Sequence, residues 1–333
     1  MRRRDFITGV FGSAAGWPFA ASAQSVGKIY RMGVLSGGRD SRATDSPLLA
    51  AGYPAFRDGL RKRGFIDGRN LAVKFCSTLQ EPGKLYADAA ELARSGVDLF
   101  FAVGPEIALK AAIAASRTIP IVTYAFNFDP LEHGYIQSLA RPGGNVTGIV
   151  ARQPELVAKQ VEILKETFPD RPRLAILWDA LSADLFVAAE RTAKALQLDL
   201  RTIKLQNPPY DIGAAFRRVA ASDPQILLVL SSPLFGAHSK EIATETVQHR
   251  LPAMFLYRTY VDQGGLLSSG VDVKAGFRRL AEYVAKVLNG EQTAELPVEQ
   301  PTKFELVVNL KTAKEIGIEL PTSLLLRADE VID

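Results

Sequence analysis

Short apolar runs alternate with longer amphipathic stretches along most of the chain. Apolar runs of this length are typical of strands buried on both faces, and the longer amphipathic stretches are typical of helices. The pattern predicts strands at 30–35, 71–75, 98–103, 120–125, 174–178, 200–205, 225–230, 252–256 and 265–268. It predicts helices at 48–63, 84–95, 106–116, 154–167, 183–196, 211–221, 238–249 and 274–288. Strands separated by helices of this length indicate βαβ units and therefore parallel sheets.

The alternation occurs twice, over roughly residues 28–148 and 152–258. One open sheet of about nine strands would need more covering helices than the chain supplies, so two α/β lobes are favoured. We expect an N-terminal lobe of residues 24–148 and about 262–290, and a C-terminal lobe of residues 149–261 and about 291–333. A strand, a helix and an extended tail follow the second series, and they would pass the chain back between the lobes. Several crossings would then form a hinge.

The first 23 residues do not follow this alternation. Arginines at positions 2–4 precede an uncharged stretch at 6–20 and small residues at 21–23, which is the layout of a secretory signal cleaved near Ala23–Gln24. The uncharged stretch is shorter than the roughly 20 apolar residues of a membrane span. Residues 3–7, Arg-Arg-Asp-Phe-Ile, resemble a twin-arginine export motif, although the pattern leaves general secretory export open. We expect a periplasmic protein; the alternative is a disordered N-terminal arm.

Charge and cysteine content narrow the classes of partner. The net charge of the chain is +4, and removal of the signal would leave 37 basic against 35 acidic residues. This excess of basic residues is too small to indicate a nucleic-acid-binding protein. A single cysteine, Cys76, excludes an internal disulfide, and no lipoprotein-type signal precedes it, so no lipid anchor is expected. No later segment has the length of a membrane span.

Motifs of the common enzyme classes are absent from the sequence. It contains no GxxxxGK[ST] phosphate loop, no GxGxxG, no HExxH and no GxSxG. The three histidines, His133, His238 and His249, do not have the spacing of metal ligands. We therefore predict no catalytic residues, no metal and no cofactor. A scattered active site stays open as an alternative, because its residues can come from any part of a chain.

A binding site is predicted where parallel strands end, because ligands bind beyond the carboxyl ends of such strands and helix N-termini begin there. The candidates are Ser36, Gly37, Gly104, Pro105, Tyr124, Asn127, Asp129, Asp179, Ser231, Ser232, Tyr257 and Tyr260. Backbone N–H groups after Gly104 and Ser231 would hold a carboxylate, and Asp129 or Asp179 would pair with an ammonium. The tyrosines would pack on an apolar or aromatic portion of the ligand.

Each candidate also has a purely structural interpretation. Ser36 and Gly37 could form a loop that needs flexible φ, and Asp129 could form a turn before Pro130. Ser231 and Ser232 could cap the next helix, and Tyr124, which lies within a strand, could belong to the core. The prediction of a site depends on their convergence in the cleft between the lobes.

Two stretches carry a family resemblance beyond this pattern. With the RRRDFI start, residues 141–148 (RPGGNVTG) and 296–313 (LPVEQPTKFELVVNLKTA) resemble the ABC-transporter substrate-binding protein family that includes tryptophan- and tyrosine-binding members, and residues 317–332 fit as well. The resemblance implies two Rossmann-like lobes of the type I periplasmic-binding-protein kind. It also implies a small-molecule ligand, with an amino acid or aromatic compound as the first hypothesis, captured by lobe closure. The partners would be a membrane permease and its ATPase.

The chain departs from that family pattern at two places. Family members often carry a tyrosine in a GGLMSYG-like strand, where this chain has Ser269. The turn after the third strand is Gly104-Pro105-Glu106 instead of a GTP-like sequence, and the Glu106 carboxylate would compete with an anionic ligand group. A periplasmic enzyme and a ligand-binding sensor that signals to a membrane receptor are the alternatives to transport.

Overall fold

The computed structural model describes residues 28–36, 47–77, 82–126 and 128–333. The predicted signal and the candidates Gly37 and Asn127 lie outside these residues. Twelve strands of the described residues form two separate sheets, one of five strands and one of seven. Among the helices of the same residues, none has the length and hydropathy that crossing a membrane requires.

The first sheet has the order β2-β1-β3-β4-β5, and all its neighbouring pairs are parallel. Its strands are β1 (Tyr30–Ser36), β2 (Leu71–Ser77), β3 (Leu99–Gly104), β4 (Ile121–Phe126) and β5 (Val146–Ala151). The connecting helices are α1 (Pro47–Lys62), α2 (Pro82–Arg94) and α3 (Glu106–Ala115). β3, β4 and β5 are buried along their whole length, as expected for strands covered by helices on both faces.

The second sheet has the order β12-β11-β10-β9-β8-β6-β7, in which the β10–β11 pair is antiparallel and the other pairs are parallel. Its strands are β6 (Arg173–Trp178), β7 (Asp199–Lys204), β8 (Ile226–Val229), β9 (Ala253–Phe255), β10 (Leu267–Val271), β11 (Phe304–Asn309) and β12 (Glu330–Ile332). Its helices are α4 (Gln153–Thr167), α5 (Ala183–Ala195), α6 (Ile212–Ala221), α7 (Pro233–Gly236), α8 (Ser239–Gln248), α9 (Arg258–Asp262), α11 (Leu310–Glu315) and α12 (Thr322–Leu325). A separate apolar core covers each face of each sheet.

Helix α10 (Val273–Leu288) follows the second sheet in the chain but packs on α1 of the first lobe. Two glycines of α1 permit the close approach. A Cβ atom on Gly52 would lie 1.9 Å from the Phe277 ring, and one on Gly59 would lie 2.7 Å from the Ala281 Cβ. The first lobe is therefore completed by a helix that the chain reaches only after most of the second lobe.

Within the described residues, the chain crosses between the lobes three times, as the prediction of a multi-strand hinge requires. The crossings lie between β5 and α4, between β10 and α10, and between α10 and β11. Glu299, in the third crossing, donates its N–H to the Gly148 carbonyl and accepts from the Val150 N–H. This pairing ties the third crossing to the first.

The lobe boundaries remain a prediction, but the elements between 262 and 290 divide in a way that the sequence did not indicate. The strand expected there with the N-terminal lobe is β10, which pairs with β9 and β11 of the second sheet. The helix expected there is α10, which packs against the first lobe. The division follows from hydrogen-bond pairing over long range, which local periodicity does not report.

Candidate functional site

A cavity of about 600 Å³ lies between the two lobes, a volume suited to a small organic ligand. It is lined by Leu48, Ala50, Ala51, Pro54, Ala55, Gly104, Pro105, Phe126, Ser231, Ser232, Pro233, Gly236, Ser239, Tyr257, Arg258, Thr259, Tyr260, Asp262, Asp272, Val273, Lys274, Arg278 and Glu305. Strands β3, β4, β8 and β9 all end near it, as expected for the carboxyl edge of parallel sheets.

Helix α1 and the ends of β3 and β4 contribute an apolar wall from the first lobe, formed by Leu48, Ala50, Ala51, Pro54, Ala55, Gly104, Pro105 and Phe126. Leu48, Ala51 and Ala55 recur at helical spacing on α1, which places them on one face. Gly104 has φ of +103°, a conformation that suits glycine and turns the chain from β3 into α3. Small side chains on this wall leave the volume of the cavity open.

The second lobe contributes hydroxyl groups that neighbouring residues hold in place. Ser232 caps α7 by accepting a hydrogen bond from the Leu234 N–H at 3.2 Å. The Tyr257 hydroxyl accepts from Gln153 Nε2 at 3.1 Å and from Ser231 Oγ at 3.5 Å. Burial raises the pKa of Tyr257 to about 12, so this phenol stays protonated at neutral pH. Because its oxygen accepts twice, its own O–H proton is available to donate.

Asp179 lies behind this polar wall and is fully buried. Its carboxylate accepts from the Leu181 and Ser182 N–H groups, from the hydroxyls of Ser182 and Ser232, and from Tyr210 Oη at 3.2 Å. Five donors satisfy the acceptor capacity of a carboxylate. Asp179 therefore orients Ser232 from behind the polar wall and does not itself line the cavity.

Arg258 connects the cavity to the edge of the second sheet. Its guanidinium donates to both carboxylate oxygens of Asp262, at 3.2 and 3.0 Å, and to both oxygens of Glu330, at 2.8 and 3.1 Å. These hydrogen bonds raise the pKa of Arg258 above its ordinary value. Glu305 Oε2 lies 3.6 Å from Arg258 Nη1, which is an ion pair but longer than a hydrogen bond.

The structure brings six of the predicted site residues to the cavity and leaves the other described ones elsewhere. The six are Gly104, Pro105, Ser231, Ser232, Tyr257 and Tyr260. Tyr124 is fully buried in the first-lobe core, where its ring lies 4.3 Å from Phe126 and 5.5 Å from Phe277. Ser36 is buried at the end of β1. Asp129 accepts from the Leu131 N–H and pairs with Arg152 at 3.3 Å.

The two departures from the family pattern also lie away from the cavity lining. Glu106 pairs with Lys110 at 2.9 Å, accepts from Tyr135 Oη at 2.7 Å, and contacts His133 Nδ1. Although burial acts in the opposite direction, these hydrogen bonds lower the pKa of Glu106 to about 2. Its charge is thus compensated within the first lobe. Ser269 lies in β10, where its carbonyl accepts from Gln160 Nε2 at 2.6 Å.

Sequence reasoning missed the apolar wall of α1 and the charged residues Asp272, Lys274, Arg278 and Glu305. The small residues at helical spacing in α1 could have indicated a wall, but they are equally typical of helix packing. Glu305 lies in a strand that the prediction treated as an extended tail. No group of histidine, cysteine and carboxylate side chains within the described residues has an arrangement that could hold a metal ion.

Comparisons with known proteins agree with this architecture. A tyrosine-binding protein of Clostridioides difficile (strain R20291) is 22% identical over 287 residues, which cover 84% of this chain and 80% of that protein. A conserved domain protein from Vibrio cholerae superposes with a TM-score of 0.78 at 24% identity, covering 91% of this chain and all of that one. An ABC domain from Streptococcus pneumonia in complex with L-Trp gives 0.77 at 23% identity, covering 92% of this chain and all of that one.

The expected fold, two α/β lobes of the type I periplasmic-binding-protein kind, is confirmed by the two sheets and by these superpositions. The family model for ABC transporter substrate binding proteins matches residues 43–332. The match spans nearly all of the chain that follows the predicted signal. The chain therefore belongs to the ABC transporter substrate binding protein family.

Proposed function

We propose that this protein is an exported solute-binding protein of an ABC importer, and that it captures an amino acid with an aromatic or large apolar side chain between its lobes. The observation that carries the proposal is the interlobe cavity with one apolar and one polar wall, in a chain of this family. The tyrosine-binding relative and the L-Trp complex support the choice of ligand class. The export pattern of the first 23 residues supports a periplasmic location.

Capture would proceed by closure of the lobes about their three crossings. Phe126 and the α1 wall would cover the apolar part of the ligand, and the Tyr257 and serine hydroxyls would bond its polar part. Closure removes water from both walls, which strengthens the polar contacts and buries the apolar area. The closed lobes would then present the loaded protein to a permease and its ATPase.

A thermal-shift screen of the chain from residue 24 onward tests the binding function. The probes are the twenty common amino acids, with nucleosides, sugars and aromatic acids as other classes. A ligand that binds the folded state adds about 2.7 kcal/mol of stability at a hundredfold excess over its dissociation constant. We expect a shift with L-tryptophan, L-tyrosine or L-phenylalanine. A shift confined to sugars or nucleosides would contradict the ligand class but retain a binding protein.

The same experiment separates binding from catalysis. The bound compound is recovered by denaturing the protein and is identified by mass spectrometry. A binding protein returns the compound unchanged, whereas conversion of the compound would establish an enzyme. Uptake of the labelled ligand by cells that lack the gene tests transport, and unchanged uptake would favour a sensory role.

A blocking variant tests whether the cavity is the site. Ala50 is an exposed residue of α1 that lines the cavity, so Ala50→Trp should fill part of the cavity without disturbing the core. We expect loss of at least tenfold in affinity with an unchanged melting temperature of the free protein. Ala87→Trp, at an exposed position of α2 away from the cavity, is the matched control and should bind normally.

A further inference from the structure

Glu305 is a carboxylate of the cavity that is incompletely paired. It lines the cavity on β11, and its side chain is 19% exposed. Its nearest cation is Arg258 at 3.6 Å, whose guanidinium already donates four hydrogen bonds to Asp262 and Glu330. No described residue donates a hydrogen bond to the Glu305 carboxylate. A partly buried charge in this state has lost hydration without a hydrogen bond in return, until a donor reaches it.

A second carboxylate strengthens the negative charge beside Glu305. Gly270 of β10 pairs with Glu305 of β11, and Asp272 lies two residues further along. Asp272 lies just beyond the end of β10, where its N–H donates to the Lys303 carbonyl, and this pairing places it diagonally opposite Glu305. Asp272 Oδ1 is engaged by the Ala275 N–H, and Oδ2 lies 3.8 Å from Arg278. Burial and the charge of Asp272 both raise the pKa of Glu305, whereas Arg258 lowers it.

Lys274 is the complementary feature, a cation of the cavity that forms no ion pair with a described residue. It lies in the first turn of α10, directly after the cap residue Asp272 and Val273. A cation there is unfavourable, because the N-terminus of a helix carries the positive end of the helix dipole. Arg278 places a second cation one turn further along the same face. Asp272 and Glu330 are the acidic groups that face this end of α10. An anionic ligand group would give Lys274 the ion-pair partner that the described residues do not supply.

We propose that the charged residues of the cavity recognise a zwitterion, with Glu305 accepting the ligand ammonium and Lys274 pairing with the ligand carboxylate. Asp129 and Asp179 are engaged away from the cavity. Asp262 and Asp272 line it but already accept hydrogen bonds, from Arg258 and from the Ala275 N–H, so the ammonium role belongs to Glu305. The apolar wall then receives the side chain of the ligand. This inference rests on the proposed function and specifies which residues of the site bind the charged groups of the ligand.

The test measures the affinities of three probes by calorimetry. L-tryptophan carries both charged groups, tryptamine lacks the carboxylate, and 3-indolepropionic acid lacks the ammonium. We expect the unmodified protein to bind L-tryptophan most tightly. Glu305→Gln should weaken L-tryptophan and tryptamine about tenfold or more, with 3-indolepropionic acid changed less than threefold. Lys274→Gln should weaken L-tryptophan and 3-indolepropionic acid and leave tryptamine within threefold.

Two matched variants and a stability measurement control for structural effects. Glu315→Gln removes an exposed carboxylate of α11, and Lys314→Gln removes an exposed lysine of the same helix; neither lines the cavity, and neither should change selectivity among the probes. Glu305→Gln should leave the melting temperature of the free protein equal or higher, because it removes an incompletely paired and partly buried charge.

The outcomes separate this inference from the proposed function. Equal weakening of all three probes by Glu305→Gln and Lys274→Gln, or equal affinity of the unmodified protein for L-tryptophan and 3-indolepropionic acid, overturns the zwitterion proposal and leaves the binding function standing. Binding of none of the three overturns the zwitterion proposal and the aromatic ligand class together. A thermal shift with another compound in that case would still establish a binding protein.

Discussion

The first lobe lines the cavity with an apolar wall from α1, Gly104, Pro105 and Phe126 and with two cations of α10, Lys274 and Arg278, whereas the second lobe lines it with hydroxyls and with the carboxylates around Arg258. The two sheets have the same parallel core and the same double cover of helices. The difference arises at the strand ends, where side chains no longer serve the core. The comparison teaches that one sheet plan can supply either an apolar or a polar wall, according to the residues that follow its strands.

The lobes also differ in how they are completed. The first lobe depends on α10, which the chain supplies after β10 of the second lobe. The second lobe is completed by the C-terminal strands β11 and β12. Each lobe therefore needs residues from beyond the hinge, but each keeps its own apolar cores.

Removal of a core aromatic from each lobe tests whether the two lobes open separately, with the largest expected effect. Phe277 on α10 is fully buried against Phe56 and Phe101, so Phe277→Ala should cost about 3–5 kcal/mol in the free energy of unfolding. Phe216→Ala, at a fully buried position of α6, is the matched change in the second lobe. Denaturant unfolding gives the free energies.

Hydrogen exchange then shows which lobe each variant loosens. We expect faster amide exchange in β3 and β4 for Phe277→Ala, and in β8 for Phe216→Ala. Equal acceleration of exchange in both sheets by either variant would mean that the lobes open as one unit, and would contradict separate opening of the two lobes.

Loss of the buried Asp179 carboxylate tests the support of the polar wall. Asp179→Ala leaves the Ser182 N–H and the hydroxyls of Ser232 and Tyr210 without their acceptor, and should cost about 2–3 kcal/mol of stability. Asp179→Asn retains an acceptor and should cost less. Both should weaken ligand binding through Ser232. Unchanged affinity in a folded Asp179→Asn protein would show that the position of Ser232 does not matter.

The Glu106 cluster predicts a pH dependence confined to the first lobe. Because the folded-state pKa of Glu106 is lowered from 4.5 to about 2, its stabilisation is present above pH 4.5 and is lost as the pH falls towards 2. Glu106→Gln should cost about 1–2 kcal/mol at pH 7 and should flatten the decline of stability below pH 4.5. Urea unfolding at pH 7, 5 and 3 measures both effects. A variant with the full acid sensitivity of the parent would contradict the assignment.

The smallest effect is expected at an exposed ion pair of the second lobe. Arg327 Nη1 lies 2.6 Å from Glu166 Oε2, and both side chains are about half exposed. Solvent and salt screen such pairs, so Arg327→Ala should change stability by no more than about 0.5 kcal/mol. Thermal unfolding at low and at 0.5 M salt measures it. A loss above about 1 kcal/mol would show that the C-terminal turn stabilises α4 more than its exposure indicates.

Local patterns reproduced most of the secondary structure and failed where a strand lacks a local signature. All nine predicted strands and all eight predicted helices are present, with bounds shifted by at most three residues. Strand β5 was missed because Gly148 and the preceding turn residues 141–145 disguise it. In the structure Gly148 has φ of +139°, and a Cβ atom there would lie 2.0 Å from the Thr123 carbonyl oxygen. Strand β11 was missed because its apolar run was assigned to an extended tail.

The sequence by itself determined the α/β class, the two series of units and the strand ends at which six of the twelve candidate site residues reach the cavity. These features follow from the periodicity of side chains and from the geometry of parallel sheets, which are local properties. The tertiary structure decided that β10 and α10 join different lobes, that Asp179 orients Ser232 from behind the wall, and that Glu305 and Lys274 face the cavity. Those outcomes depend on pairing between residues far apart in the chain, for which a single sequence carries no local signal.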